Sequence, residues 1–395
     1  MPPGEIAQPA EVLTPLTSDS ADVIAPVSYS TERIDGTVAV VACIAQHEAA
    51  CSALAFQRLA WLKPLYESLA PDLSAQALAI VMTDAASGEL AAVLPLVITR
   101  EGSISTVSWA SLGVSDYGAP MLGAMAPANA RDAQALWNEV KRVLSGCDLL
   151  QLSNMPGEIA GRVNPFALIA PAHTSRHARH ALTLEGTVEH FLASRGKKYR
   201  KEAERCTRLL TEKGEPQFHR AETGGEITEA FAALEAQQAS RHASRGKDYQ
   251  LGQRAYARFF EAALRAGVPG GAVHIFTLRA GGEIGAVLYG IAHEKTFTLL
   301  RISTGGDAWK RVSPGRLIVL ETMRYFLSKG ITTFDMGIGD YDFKQGFGVK
   351  AEPLYDAVSA LSVWGLRRTA SARVKAKARQ YPGLVDAAKR LMGRA

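Results

Sequence analysis

One succession of elements occurs twice in this chain, and it restricts the fold more than any single motif does. In the first half, CSALAFQRLAWLKPLYESLA has the apolar spacing of an amphipathic helix. Two apolar strands follow between residues 77 and 98, turning at Asp84, Ser87, Gly88 and Glu89. Then come a strand candidate SISTVSWASLG, the loop VSDYGAPML, the helix ARDAQALWNEVKRVL and the short strand CDLLQLSNM. Gly146 stands at the expected C-cap of that helix. The second half has helices in ITEAFAALEAQQASRHASRG and RAYARFFEAALRAG, then a hairpin in AVHIFTLRAGGEIGAVLYGIA turning at Ala280–Gly281–Gly282. A third strand FTLLRIST, the helix PGRLIVLETMRYFLSKG and the strand ITTFDMG complete it. The order repeats while the residues do not, as expected of two α/β units in tandem.

The length of 395 residues suits two units, and 47% hydrophobic with 21% charged residues is the composition of a chain that buries a core. Four scattered cysteines, Cys43, Cys51, Cys147 and Cys206, form no CxxC pair. With no signal peptide ahead of them, reduced thiols in a cytoplasmic setting are expected. The most apolar stretch is broken by acids and glycine, so no membrane span is predicted. Residues 1–34, rich in Pro, Ala and Ser, read as a disordered leader. Charge is concentrated at the other end: residues 366–395 hold nine Lys or Arg against Asp386 alone. That tail is either a solvated helical end or an arm for an anionic surface, peripheral inner membrane or nucleic acid.

Between the halves, a short strand ALTLE precedes a helix carrying Arg195, Lys197, Lys198, Arg200, Lys201, Arg205 and Arg208 around Tyr199. A solvated face and a site for a phosphate-bearing ligand both fit that density. PAHTSRHARH, with His173, His177 and His180, reads as a loop without the paired Cys or acids that a metal site needs, and no metal is predicted. At KRVSPGRLIVLETM, Ser313 is a candidate N-cap and Pro314 suits the first helical turn. Gly315 allows close approach, and Lys310, Arg311 and Arg316 add charge to an anion-binding helix start. After the last strand, FDMGIGDYDFKQGFGVKAEPLY gathers Asp335, Asp340, Asp342 and Lys344. These acids lack EF-hand spacing, and the lysine would repel a cation.

Hairpin, third strand, glycine-containing loop, helix and short strand is the order of the GNAT acyltransferase core. SPGRLIVLETMRYFLSKGITTFDMGIGDYDFKQGFG resembles the BioF2-like acetyltransferases, which include the CelD/BcsL-type proteins of cellulose and exopolysaccharide production. The element Phe343, Lys344, Gly346, Phe347, followed by Glu352 and Tyr355, is similar to the C-terminal segment of Fem-type peptidoglycan aminoacyltransferases. LGVSDYGAPML is similar to their Asp-Tyr-x-x-Pro loop, with Asp116, Tyr117 and Pro120. The resemblance spans roughly residues 35–365. The coenzyme A loop pattern Q/R-x-x-G-x-G/A is met only in part, because Pro314 and Arg316 stand where small residues are usual.

The resemblance implies two GNAT-like domains, 35–180 and 181–365, each a mixed, mostly antiparallel sheet flanked by helices, with a cleft between them. It implies acetyl or acyl transfer from acyl-CoA to an amine, such as an amino sugar in cell-surface polysaccharide synthesis. Asp116 is the candidate base and Lys344 the candidate electrostatic stabiliser, with Tyr117 a donor to the leaving thiolate and Asp340 positioning the amine. Lys310, Arg311, Ser313, Gly315 and Arg316 would hold the coenzyme, and Tyr341, Phe343, His242 and Tyr199 would line the substrate side. Two alternatives remain: a Fem-type enzyme using aminoacyl-tRNA, and a non-catalytic GNAT pair acting as a scaffold.

Overall fold

The computed structural model describes residues 27–243 and 249–369. Twelve strands form one continuous path: β1 (Tyr29–Asp35), β2 (Gln76–Asp84), β3 (Leu90–Glu101), β4 (Ile104–Trp109), β5 (Leu149–Pro156), β6 (Ala172–Thr183), β7 (Gln217–Arg220), β8 (Val273–Ala280), β9 (Glu283–His293), β10 (Thr296–Thr304), β11 (Thr333–Asp335) and β12 (Lys350–Ala360). Their spatial order is β1-β2-β3-β4-β5-β12-β6-β11-β10-β9-β8-β7, and Met121–Leu122 adds a short strand on β3. The order is symmetric about the β12–β6 pair. Each side ends in a parallel pair, β4 with β5 and β10 with β11, and all the other neighbours on the path run antiparallel.

That symmetry corrects the domain limits expected from sequence. β12, from the end of the second half, completes the first half's sheet beside β5, while β6 completes the second half's sheet beside β11. A boundary at residue 180 therefore falls inside a strand. The PAHTSRHARH segment is part of that strand and not a loop. The three histidines are spread along this strand, whose pairing with β12 is irregular between Thr174 and Ala178. No group of three or more metal-ligating side chains occurs among the described residues. The leader is also shorter than read, because residues 29–35 pair with β2. Residues 1–26 and 370–395, including most of the basic tail, lie outside the described residues.

Eight helices matter for the site: α1 (Thr37–His47), α2 (Leu59–Pro64), α3 (Ala130–Val143), α4 (Lys197–Glu212), α5 (Gly224–Ala243), α6 (Arg254–Gly267), α7 (Pro314–Ser328) and α8 (Asp342–Phe347). The helix read over residues 51–70 is interrupted: α2 passes through a π-helical turn, Leu65–Leu69, just after Pro64. Proline withholds the amide that a regular ladder would use there. α3 starts where Asn129 accepts the amide of Asp132 at 3.0 Å, and it buries Ala133, Leu136, Trp137 and Val140. β2 and β3 are covered on both faces, which explains their nearly unbroken apolar sequence.

Three large cores divide the described residues. Two belong to single halves, one around Trp137 and Phe166 and the other around Phe297, Phe326 and Phe334. The third is shared: Trp61 of the first half meets Phe259 of α6 edge-on, with ring centres 5.0 Å apart. A common core and a common sheet fix the first half's 111–117 loop against the second half's strands. Among the described residues no helix is long and apolar enough to cross a membrane.

Candidate active site

β10 and β11 run parallel for only three residue pairs, Thr296↔Thr333, Phe297↔Phe334 and Thr298↔Asp335. Beyond Asp335 the chain leaves the ladder through Gly337 and Gly339, at φ 73° and 90°. An L side chain is strained at such angles, so glycine lets the strand peel away here. At this divergence the two halves meet.

Asp116, from the first half, accepts the amide of Ile338 at 3.0 Å. A side chain at Gly337 would place its Cβ 2.1 Å from the Asp116 carboxylate, so the close approach requires that glycine. Burial pushes the Asp116 carboxyl up to about 6, aided by the Asp335 charge and opposed by the Ile338 amide, Lys344 and Arg301. A carboxylate so tuned is ionised at neutral pH yet a stronger base than an ordinary aspartate.

Lys344 is only 3% exposed. Its Nζ donates to the carbonyls of Gly337, Ile338 and Gly339 at 3.1, 2.8 and 2.8 Å. All three ammonium donors are thus committed to the backbone. The residue expected as a stabiliser is therefore a clamp on the glycine turn. Burial lowers its pKa, against the pull of Asp116, Asp335 and Asp340.

Tyr117 is engaged across the two halves. Its hydroxyl donates to Asp335 Oδ1 at 2.9 Å, and burial holds its pKa well above the ordinary value. Asp335 also accepts the Gly337 amide at 2.7 Å and Arg179 Nε at 2.7 Å, so it pins the strand end to both halves. Burial works against the Arg179 charge, but the Asp335 carboxylate overcomes it and keeps the guanidinium above its ordinary pKa. Behind this network lies a cavity of about 270 Å³, lined among others by Tyr117, Arg179, Asp335, Glu352 and Lys350.

The other residues singled out from sequence scatter around this centre. Asp340 is exposed. Tyr341 and Phe343 are 60% and 42% exposed and stack on one another with centres 6.3 Å apart. His242 stacks on Tyr249 at 5.3 Å. Tyr199 packs against Phe347 at 5.9 Å and lies under Arg316 at 4.9 Å. Ser313 takes the N-cap position, but at φ 52°, and its side chain caps nothing. The left-handed backbone points it away from the first-turn amides that a capping serine would accept. Lys310 pairs with Asp307 at 2.7 Å on the surface, and Arg311 is exposed beside it. Gly315 lies over β10, its Cβ position 3.1 Å from the Thr304 methyl.

Three residues of the centre were not singled out from sequence: Arg179, Gln250 and Arg301. Arg301 is the only charged residue of the strand TFTLLRIST, which is the one signal that could have revealed it.

With this geometry in place, the likeness to known proteins is informative. Residues 197–345 match the family model described as an acetyltransferase (GNAT) domain. No curated protein matches the chain. Among solved structures, FemX is 12% identical over 82% of this chain and 96% of its own, with a TM-score of 0.54. A conserved protein of unknown function from Bacteroides thetaiotaomicron VPI-5482 is 12% identical over 82% of this chain and 97% of its own, with a TM-score of 0.52. A tandem GNAT protein from the clavulanic acid biosynthesis pathway is 12% identical over 84% of this chain and 99% of its own, with a TM-score of 0.44. At such identities the likeness is one of fold. Residues 197–345 match the GNAT model and the first half repeats their strand order, so the fold is two GNAT-like units fused through one sheet.

Proposed function

We propose that this protein is an N-acyltransferase that passes an acyl group from the thioester of coenzyme A to an amine. The observation that carries the reading is the meeting of a buried carboxylate, Asp116, with the glycine turn held by Lys344, where β10 and β11 diverge. In this reading the amine nitrogen attacks the thioester carbonyl and a C–N bond forms. Asp116 accepts the ammonium proton of the tetrahedral adduct, the C–S bond breaks, and the thiolate takes a proton from solvent to leave as a thiol. The Lys344 charge favours the oxyanion that develops between these steps. Arg311, Arg316 and the start of α7 would receive the phosphates of the donor. The resemblance of residues 313–348 to BioF2-like proteins supports an acceptor such as an amino sugar destined for the cell surface.

Acetyl-CoA binding measured by calorimetry tests the donor, with release of free thiol on adding amines as the catalytic readout. No detectable acyl-CoA binding would sink this reading.

One observation favours a second donor. α4 presents Lys197, Lys198, Arg200, Lys201 and Arg208 to solvent, and the fold is similar to that of FemX. Aminoacyl-tRNA is the donor on that reading, and its affinity would fall steeply as salt rises. Absent or salt-insensitive tRNA binding removes it.

A further inference from the structure

Arg301 has a setting unlike that of the other arginine in the centre. Arg179 faces two carboxylates, Asp335 at 2.7 Å and Glu352 at 2.9 Å. Among the described residues Arg301 hydrogen-bonds to no carboxylate. Its guanidinium lies 4.1 Å over the ring of Phe260 and donates through Nη2 to the side-chain oxygen of Gln250. Its Nε is buried with no hydrogen-bond partner. Gln250 donates in turn to the Gly113 carbonyl at 2.8 Å, tying the fork to the loop that carries Asp116. Burial brings the Arg301 pKa down to about 10, and Asp116 is the only carboxylate among the described residues that favours its charge.

A buried guanidinium ordinarily finds a carboxylate for its planar fork, because its desolvation is otherwise uncompensated. Here one edge is used by a neutral amide and one face by an aromatic ring, which leaves Nε unused. A planar monoanion suits that position. A phosphate dianion would bring more negative charge toward Asp116.

We propose that Arg301 is the specificity-determining residue of this site and binds a carboxylate on the acceptor, so that the neighbouring amine meets Asp116. The acceptor class is then a carboxylate-bearing amine, either an α-amino acid or an amino sugar oxidised to its uronic acid. This rests on the N-acyltransferase reading of the same site.

The test uses the full chain, acetyl-CoA and matched acceptors: glucosamine against glucosaminuronic acid, and L-alanine against L-alaninamide. Wild-type protein should prefer the carboxylated member of a pair. Arg301→Gln should lower kcat/KM for that member by about 10- to 100-fold more than for the neutral member, and so erase the preference. Arg301→Lys should restore part of it, and circular dichroism with thermal melting shows whether each variant is folded. Equal wild-type transfer to both members overturns the carboxylate assignment and leaves acyl transfer standing. So does an equal loss on both in folded Arg301→Gln, or a preference that appears only when acetyl-CoA is replaced by succinyl-CoA, whose carboxylate is on the donor. No wild-type transfer to any of the four amines, with the donor bound, sinks the N-acyltransferase reading and this inference with it.

Discussion

The two halves share a topology, yet the gap where their parallel strands part is filled in opposite ways. In the first half β4 and β5 pair over Thr106↔Leu149, Val107↔Leu150 and Ser108↔Gln151, again three pairs. Beyond them Trp109 occupies the space, 3% exposed and edge-on to Phe166 at 5.8 Å. Gly118 lies so close that its Cβ position is 2.0 Å from the indole. In the second half the corresponding space is bounded by glycines, a clamped lysine, an arginine and a carboxylate borrowed from the other unit. One gap is a packed core and the other a polar site, so duplication of the fold gives one candidate centre.

Four variants probe that contrast. Asp116→Asn has the largest expected effect, a loss of about 10²- to 10⁴-fold in kcat. The carboxyl is ionised above about 6, so wild-type kcat/KM should climb as pH rises through that value and then level off, whereas the variant shows no such limb. A variant that keeps the limb assigns it to another group. Trp109→Ala should cost about 3–5 kcal/mol in urea unfolding while acyl-CoA affinity stays unchanged. A changed affinity would mean that the first gap also takes part, and the contrast would fail.

Gly337→Ala joins backbone strain to a clash with Asp116. It should cost about 1–3 kcal/mol and reduce transfer, and normal activity would show that the carboxylate tolerates displacement. The smallest effect belongs to Lys310→Ala with Arg311→Ala. Both side chains are solvated, so acetyl-CoA binding should weaken by less than about tenfold in calorimetry.

Much of the fold was readable because it depends on local pattern. The hairpins, α3, α6 and α7 follow from apolar period, turn glycines and a cap. The strands most readily missed were β6 and β12. HTSRHARHALT and KAEPLYDAVSA are too polar to announce buried strands, and they are held by pairing with each other and with distant neighbours. Among the site residues, Asp116 and Lys344 stood in recognisable motifs. Arg179 and Arg301 did not, because an arginine inside a strand becomes informative only when its environment is known.

The sequence by itself determined that two similar units follow one another, and that glycines end the last short strand beside a lysine. Local propensity and hydrophobic period are properties of neighbouring residues, so they survive in one dimension. Only the tertiary structure decided that the units exchange strands, that Asp116 crosses from one unit to Ile338 of the other, and that half-buried Arg301 has no carboxylate partner among the described residues. Those facts depend on residues far apart in the chain, brought together by burial of a shared core whose pairings no local pattern encodes.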